Sequence, residues 1–289
     1  MKIRSEKNQH TTMTDDELKA SSPWLDYLNN LRSNYNGEID SHLFYDNINV
    51  IHPDDYAIIE TYNNARKKEE HRFITNLLAA PFQGNPLTAK VVFLSLNPGY
   101  VEHSNRDLAK VFERITDLPQ KINALWSSFL SHEATAMSPS QQDKDLFTAY
   151  QTLVDWYWYN AFAKLRESCH LSDDVFFQKV AIVQLMPYHS IKCEKVIFDL
   201  PTMQYTKKLI HHLLKRPDCP LFVVMRSEKM WAKLLGSDSN EVFDFNKDKK
   251  HFILRKRDIN EHLPRGQYIN ENAFLDEGCQ KIINAIIKS

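Results

Sequence analysis

Three short apolar runs, each cut off by a proline or a charged turn, dictate most of what this chain can become. Residues 91–96 read VVFLSL and stop at Asn97-Pro98-Gly99. Residues 180–186 read VAIVQLM and stop at Pro187, and Leu221-Phe222-Val223-Val224-Met225 stops at Arg226. Their length and β-branched content favour strands buried on both faces, the pattern of parallel rather than antiparallel sheets. Helical stretches separate them, so the expected architecture is α/β: a three-layer α/β/α sandwich around a central, mainly parallel sheet. Ligands in such sheets bind beyond the carboxyl ends of the strands. That rule singles out Asn97–Tyr100, Pro187–Ser190 and Arg226–Glu228.

The remaining elements follow from periodicity and punctuation. Residues 1–14 are polar and read as a disordered lead, and residues 15–80 as a helical N-terminal extension to a domain spanning 81–289. Thr14 with Glu17 three residues on is a capping box. Residues 54–78 read as one amphipathic helix and residues 80–86 as a loop. Helices are expected over 105–130, with a break near Pro119, and over 148–167, with a loop at 131–145 between them. Trp156, Tyr157, Trp158 and Tyr159 in the second of these read as core packing rather than a stacking platform for single strands. Further helices are expected near 200–215, around Trp231 and Leu234, and over 272–288. Val242–Phe245 and His251–Leu254 read as additional strands.

Composition narrows the function. The 289 residues are 43% hydrophobic and 25% charged, enough for an ordinary core. A formal charge of −1 is not that of a protein that coats nucleic acid, but it leaves room for a local basic face. Residues 245–266 supply one, with seven basic residues, Lys249, Lys250, Arg255 and Arg257 among them, against three acidic ones. The four cysteines form no C-x-x-C and read as free thiols in a reducing cytoplasm. No apolar leader core and no run near the roughly 20 residues of a membrane span is visible, so a cytoplasmic protein with no membrane partner is expected. His211 and His212 diverge on a helix, and no metal site is expected. No G-x-G-x-x-G or G-x-x-x-x-G-K-[ST] occurs to cradle phosphates, which argues against a flavodoxin-like or nucleotide-binding enzyme.

The strand ends carry a resemblance. Residues 91–100, Val-Val-Phe-Leu-Ser-Leu-Asn-Pro-Gly-Tyr, resemble the first motif of the uracil-DNA glycosylase superfamily, closest to the Gly-Ile-Asn-Pro-Gly form of its mismatch-specific thymine/uracil branch. Residues 180–190 resemble the superfamily's central strand, which ends in a base-reading residue followed shortly by proline. That residue is usually Asn; here it is Gln184. Residues 221–235 resemble the penultimate strand–helix unit. Asn260-Glu261-His262-Leu263-Pro264-Arg265-Gly266 falls where the family places a His-Pro-Ser loop, with Leu263 inserted and no Ser following. The four matches span about residues 80–270.

The resemblance implies a monofunctional DNA glycosylase that needs no cofactor and leaves an abasic site. The target base is extruded from double- or single-stranded DNA into a pocket, and the C1′–N bond breaks through an oxocarbenium-like state. Asn97 would hold the attacking water, with Pro98 and Gly99 fixing a turn that lets the backbone approach the nucleotide. Tyr100 would wall the base pocket, and Gln184, an amide with both donor and acceptor, would read the base edge. His189 would contact phosphate or base, His262 the leaving base oxygen, and Arg265 the groove or the gap left by the base. The departure at Gln184 leaves the base open: uracil, mismatched thymine, hypoxanthine, or a modified cytosine excised from phage DNA in antiviral defence. A non-catalytic DNA-binding module on the same fold is the alternative.

Overall fold

A computed structural model describes residues 13–24, 27, 51–75, 79–98, 162–193, 195–236, 243–255, 273–274 and 277–288. Five strands form one mixed sheet: β1 (Phe82–Gln83), β2 (Val91–Ser95), β3 (Val180–Gln184), β4 (Leu221–Val224) and β5 (Phe252–Leu254). Their order is β1-β3-β2-β4-β5; β3, β2, β4 and β5 run parallel, and β1 pairs antiparallel with β3. Seven α-helices accompany them among the described residues: α1 (Asp15–Ala20), α2 (Pro53–Asn64), α3 (Ala163–Cys169), α4 (Asp173–Lys179), α5 (Pro201–Lys215), α6 (Glu228–Gly236) and α7 (Gly278–Ile287). The chain is an α/β protein with a largely parallel sheet.

The strands form where the apolar runs lie because both faces are covered. Every residue of β2 and β3 is buried. Phe82, opposite Val183, meets Tyr205 of α5 on one face, with ring centroids 6.4 Å apart. Phe93, opposite Ile182, points the other way and packs against Phe162 at the start of α3, with ring centroids 4.6 Å apart and planes tilted by 36°. Full burial of a parallel strand removes the polar alternation an exposed sheet would show.

Register brings the carboxyl ends level. Val91 lies opposite both Val180 and Leu221, Ser95 opposite Gln184, and Val224 opposite both Leu94 and Leu254. The chain leaves β2 toward β3 on one side and leaves β4 toward β5 on the other. The carboxyl ends of β2 and β4 therefore flank the point where the winding reverses, the crevice in which open α/β sheets bind ligands.

Three expectations are corrected. The helix expected over 54–78 ends at Asn64. The Asn63 side chain donates to the Phe73 carbonyl and accepts from its N–H, both at 2.8 Å, so the chain folds back on itself and continues as a 3-10 turn at Glu69–His71. Of the strand expected over Val242–Phe245, Val242 lies outside the described residues, Phe243 and Asp244 are in no strand, and Phe245 begins a 3-10 turn, Phe245–Asp248, started by Asp244 accepting from the Asn246 N–H. Two residues of the 80–86 loop form the antiparallel edge strand β1. The helices expected at 105–130 and through most of 148–167 lie outside the described residues.

The N-terminal segments are tied to the sheet domain. Thr14 and Glu17 form the expected capping box on α1. Asp15 then accepts from His212 Nε2 at 2.6 Å and from Arg216 Nη1 at 3.3 Å, pinning α1 to the last turn of α5. Asp55 of α2 is fully buried at the other end of α5, where it accepts from the Thr202 N–H at 3.2 Å and the Thr202 hydroxyl at 2.5 Å. A carboxylate there completes the first turn of a 15-residue helix that has no side-chain cap of its own.

Candidate functional site

The pairing of β2 with β3 continues past the strands. Leu185 N–H donates to the Ser95 carbonyl at 3.1 Å and Met186 N–H to Leu96 at 2.7 Å. Pro98 and Pro187 then end the ladder, since neither offers an N–H and each holds its predecessor extended. Two proline-terminated tails are thereby laid side by side. Across them the half-buried Asn97 donates from Nδ2 to Oγ of buried Ser190 at 2.9 Å.

The 187–192 tail is held from outside the sheet. Ala80 N–H donates to the Pro187 carbonyl at 2.8 Å, Ile74 N–H to His189 at 2.9 Å, and Lys192 N–H to Glu70 at 2.9 Å. Lys192 Nζ also meets the Glu70 carboxylate at 2.9 Å and holds its pKa below the ordinary value. Tyr188 is fully buried and donates to Asp55 at 2.6 Å. Burial first, and then the neighbouring carboxylate, push its phenol well above its usual ionisation point.

Directly beneath Asn97, Ser95 and Gln184 face one another across the two central strands, 2% and 1% exposed. Neither polar atom of the Gln184 side chain, nor the Ser95 hydroxyl, has a hydrogen-bond partner among the described residues. The Gln184 backbone N–H is satisfied, donating to the Pro81 carbonyl at 2.8 Å. Leaving a buried polar group unpaired costs about 1–3 kcal/mol, and native proteins keep few such groups without a reason. An amide beside a hydroxyl at the carboxyl ends of parallel strands is a donor–acceptor set suited to a planar polar ligand.

The β4 side adds a strained turn. Ser227 has φ of 59°, a conformation rare outside glycine, at the junction between β4 and α6. Its carbonyl accepts from the N–H groups of Met230 and Trp231 at 2.8 and 3.0 Å. The Trp231 indole then donates to the Ser95 carbonyl at 3.1 Å, fastening the start of α6 to the end of β2.

The structure thus brings Asn97, Pro98, Gln184 and the His189 backbone to one end of the sheet. Arg255 follows β5 at that same end, donating from its N–H to Val224 at 3.3 Å. Lys249 and Lys250 are exposed at the opposite end, before β5 begins at the level of Phe222. Along the strand direction they are on the order of 20 Å from Asn97 and take no part in its cluster. Gly99, Tyr100, Arg257, His262 and Arg265 lie outside the described residues. No group of three metal-ligating side chains occurs among the described residues, and no described helix is long and apolar enough to cross a membrane.

Sequence reasoning did not single out Ser95 or Asp55, and it marked Ser190 and Ser227 only as members of the strand-end segments 187–190 and 226–228. Ser190 stands in the tail the motif marked, but nothing local distinguishes its hydroxyl. Asp55 reads as an ordinary first-turn acid of α2. Comparison of the chain with known protein families, with curated proteins and with solved structures found no match.

Proposed function

We propose that the protein is a DNA glycosylase that everts a damaged or modified base and hydrolyses its N-glycosidic bond, on a sheet of the uracil-DNA glycosylase type. The observation that carries this reading is the buried Gln184 amide, without a hydrogen-bond partner among the described residues, two residues below Asn97 in the β2–β3 register. An extruded base presents a planar edge of donors and acceptors, and Gln184 with Ser95 is a set left unspent for such an edge. The largely parallel sheet, covered on both faces, is the frame the motif resemblance requires.

In the proposed reaction Asn97 positions a water below C1′. The C1′–N bond breaks with its electron pair leaving on the base. The water oxygen bonds to C1′ as the sugar's hydroxyl, and its released proton ends on the departing base or in solvent. A neutral amide is no strong base, so the rate rests on placing the water and stabilising the leaving group. His262 and Arg265 would act on the leaving base and the opened duplex, Tyr100 and Gly99 on the base itself, and Arg255 and Arg257 on phosphate. Gln184, one methylene longer than the Asn of the uracil-reading pattern, changes the depth of the base pocket and argues against plain uracil; a modified cytosine in phage DNA is among the bases to test.

The test is base release. Single strands and duplexes carrying uracil, a thymine mismatch, hypoxanthine, hydroxymethylcytosine or glucosylated cytosine are incubated with the protein and cleaved with alkali. Breaks at one modified position, absent from unmodified DNA and abolished by Asn97→Ala, are expected. Tight binding without breaks at any base would overturn the reading in favour of a non-catalytic module.

A further inference from the structure

Asn97 cannot hold a water in one place unless its own amide is held. An asparagine after a strand, before a proline, retains two side-chain torsions, and its amide can present either end to a ligand. Among the described residues the amide is restrained by Asn97 Nδ2 donating to Ser190 Oγ at 2.9 Å. With Nδ2 engaged, the carbonyl Oδ1 is the end turned away from Ser190.

Ser190 is held in turn. It is 1% exposed and sits two residues after Tyr188, whose hydroxyl donates to the fully buried Asp55 at 2.6 Å. The Ile74 N–H holds the intervening His189 carbonyl at 2.9 Å, and Glu70 secures the Lys192 N–H at 2.9 Å. Asp55 also takes both donors of Thr202 and so cannot follow Tyr188 away without uncapping α5. Hydrogen bonds therefore run from α5 through Asp55 to Tyr188, the backbone carries on two residues to Ser190, and its hydroxyl meets Asn97. The segment 51–75, which carries no recognised motif, supplies Asp55, Glu70 and Ile74 to this arrangement.

We propose that Ser190 is the positioning residue of the Asn97 amide, and that residues 51–75 serve the site by clamping the 187–192 tail that carries it. This rests on the glycosylase reading for its consequence, though the contact itself is independent of it. Ser190 acts through the amide, restraining its torsions; a hydroxyl both donates and accepts, so the contact holds the amide in place rather than choosing its end. Removing it should slow the chemical step without weakening DNA binding, because a freely turning amide places its water correctly for only part of the time.

The experiment compares wild type, Ser190→Ala, Ser190→Thr and Asn97→Ala in single-turnover base release, DNA binding and thermal melting. It also follows the side-chain amide 15N–1H signals, with the Asn97 pair identified by its loss in Asn97→Ala. Ser190→Ala should reduce the single-turnover rate roughly 10- to 100-fold at unchanged DNA affinity, and Ser190→Thr, which keeps the hydroxyl, should recover most of it. The Asn97 amide protons should shift and exchange faster with water in Ser190→Ala and not in Ser190→Thr. Wild-type rate in Ser190→Ala, or a loss confined to DNA affinity, would overturn the proposal. Should the wild type release no base at all, the glycosylase reading fails, and the amide signals still decide the contact: unchanged shift and exchange in Ser190→Ala would overturn the positioning role.

Discussion

Ser95 and Gln184 lie directly opposite one another on the two central parallel strands, both buried, and both carry polar side-chain atoms with no hydrogen-bond partner among the described residues. In a core built for stability alone this position would be apolar. Gln184→Met should therefore raise the unfolding free energy, by about 1 kcal/mol or more, by removing an unsatisfied amide at nearly constant volume. The same variant should lose base release. Urea melting and the alkali assay check the two effects; a marked loss of stability would show that the amide is satisfied in the folded protein and is not held for a ligand.

Asp55→Ala should be strongly destabilising. It leaves the buried Tyr188 hydroxyl and both Thr202 donors without their acceptor. Several lost buried hydrogen bonds around one site amount to about 3 kcal/mol or more. Chemical denaturation measures it, and a change within about 0.5 kcal/mol, the range of ordinary surface substitutions, would contradict the network.

Alkaline pH should weaken the fold through Tyr188. Burial and Asp55 raise its phenol well above the ordinary value of 10.0, so the unfolded chain ionises first as pH climbs. The stability this phenol contributes is complete below pH 10 and is withdrawn as pH rises toward the folded value. Melting temperatures between pH 8 and 11 should fall more steeply in wild type than in Tyr188→Phe. Parallel curves would mean that the phenol ionises as readily in the folded chain as in the unfolded one.

Reversing Lys249 and Lys250 to Glu should leave base release and the salt dependence of DNA binding nearly unchanged. Both lysines stand at the amino end of β5, away from Asn97. Each phosphate contact contributes close to one unit to the logarithmic salt slope. A slope reduced by about two would place DNA across the opposite end of the sheet and would oppose the proposed site.

Gly278→Ala tests the packing of α7. A Cβ on Gly278 would lie 2.7 Å from both Ile253 Cγ2 and Phe274 Cβ. Ile253 belongs to β5, so relief requires the helix to lift from the sheet. The expected cost is about 1–3 kcal/mol in a thermal or urea melt; a neutral result would mean that α7 packs less closely than described.

Much of the frame was legible along the chain. The runs at 91, 180 and 221 became β2, β3 and β4, because a strand buried on both faces must be apolar throughout and leaves an unmistakable trace. The boundaries were less visible. Nothing in residues 54–78 marks the end of α2 at Asn64, since the helix is stopped by an asparagine bonding to Phe73, a residue that follows the fold-back. The 3-10 turn that begins at Phe245 was likewise hidden, since its first residue closes a segment that reads as strand.

The candidate site divides along the same line. The strand-ending proline marked the Asn97 turn from its neighbours alone, while Gln184 was marked by the motif resemblance. Which polar groups those residues would meet depends on contacts between parts of the chain far apart in sequence. Ser190 reaches Asn97 across 93 positions, and Asp55 reaches Tyr188 across 133. Parallel strand pairing produces such distant neighbours, because each crossover inserts a long connection between strands that end up side by side. Register then set Ser95 against Gln184, and the sheet's direction carried Lys249 and Lys250 to the far end, although they stand only a few residues from Arg255 in the chain.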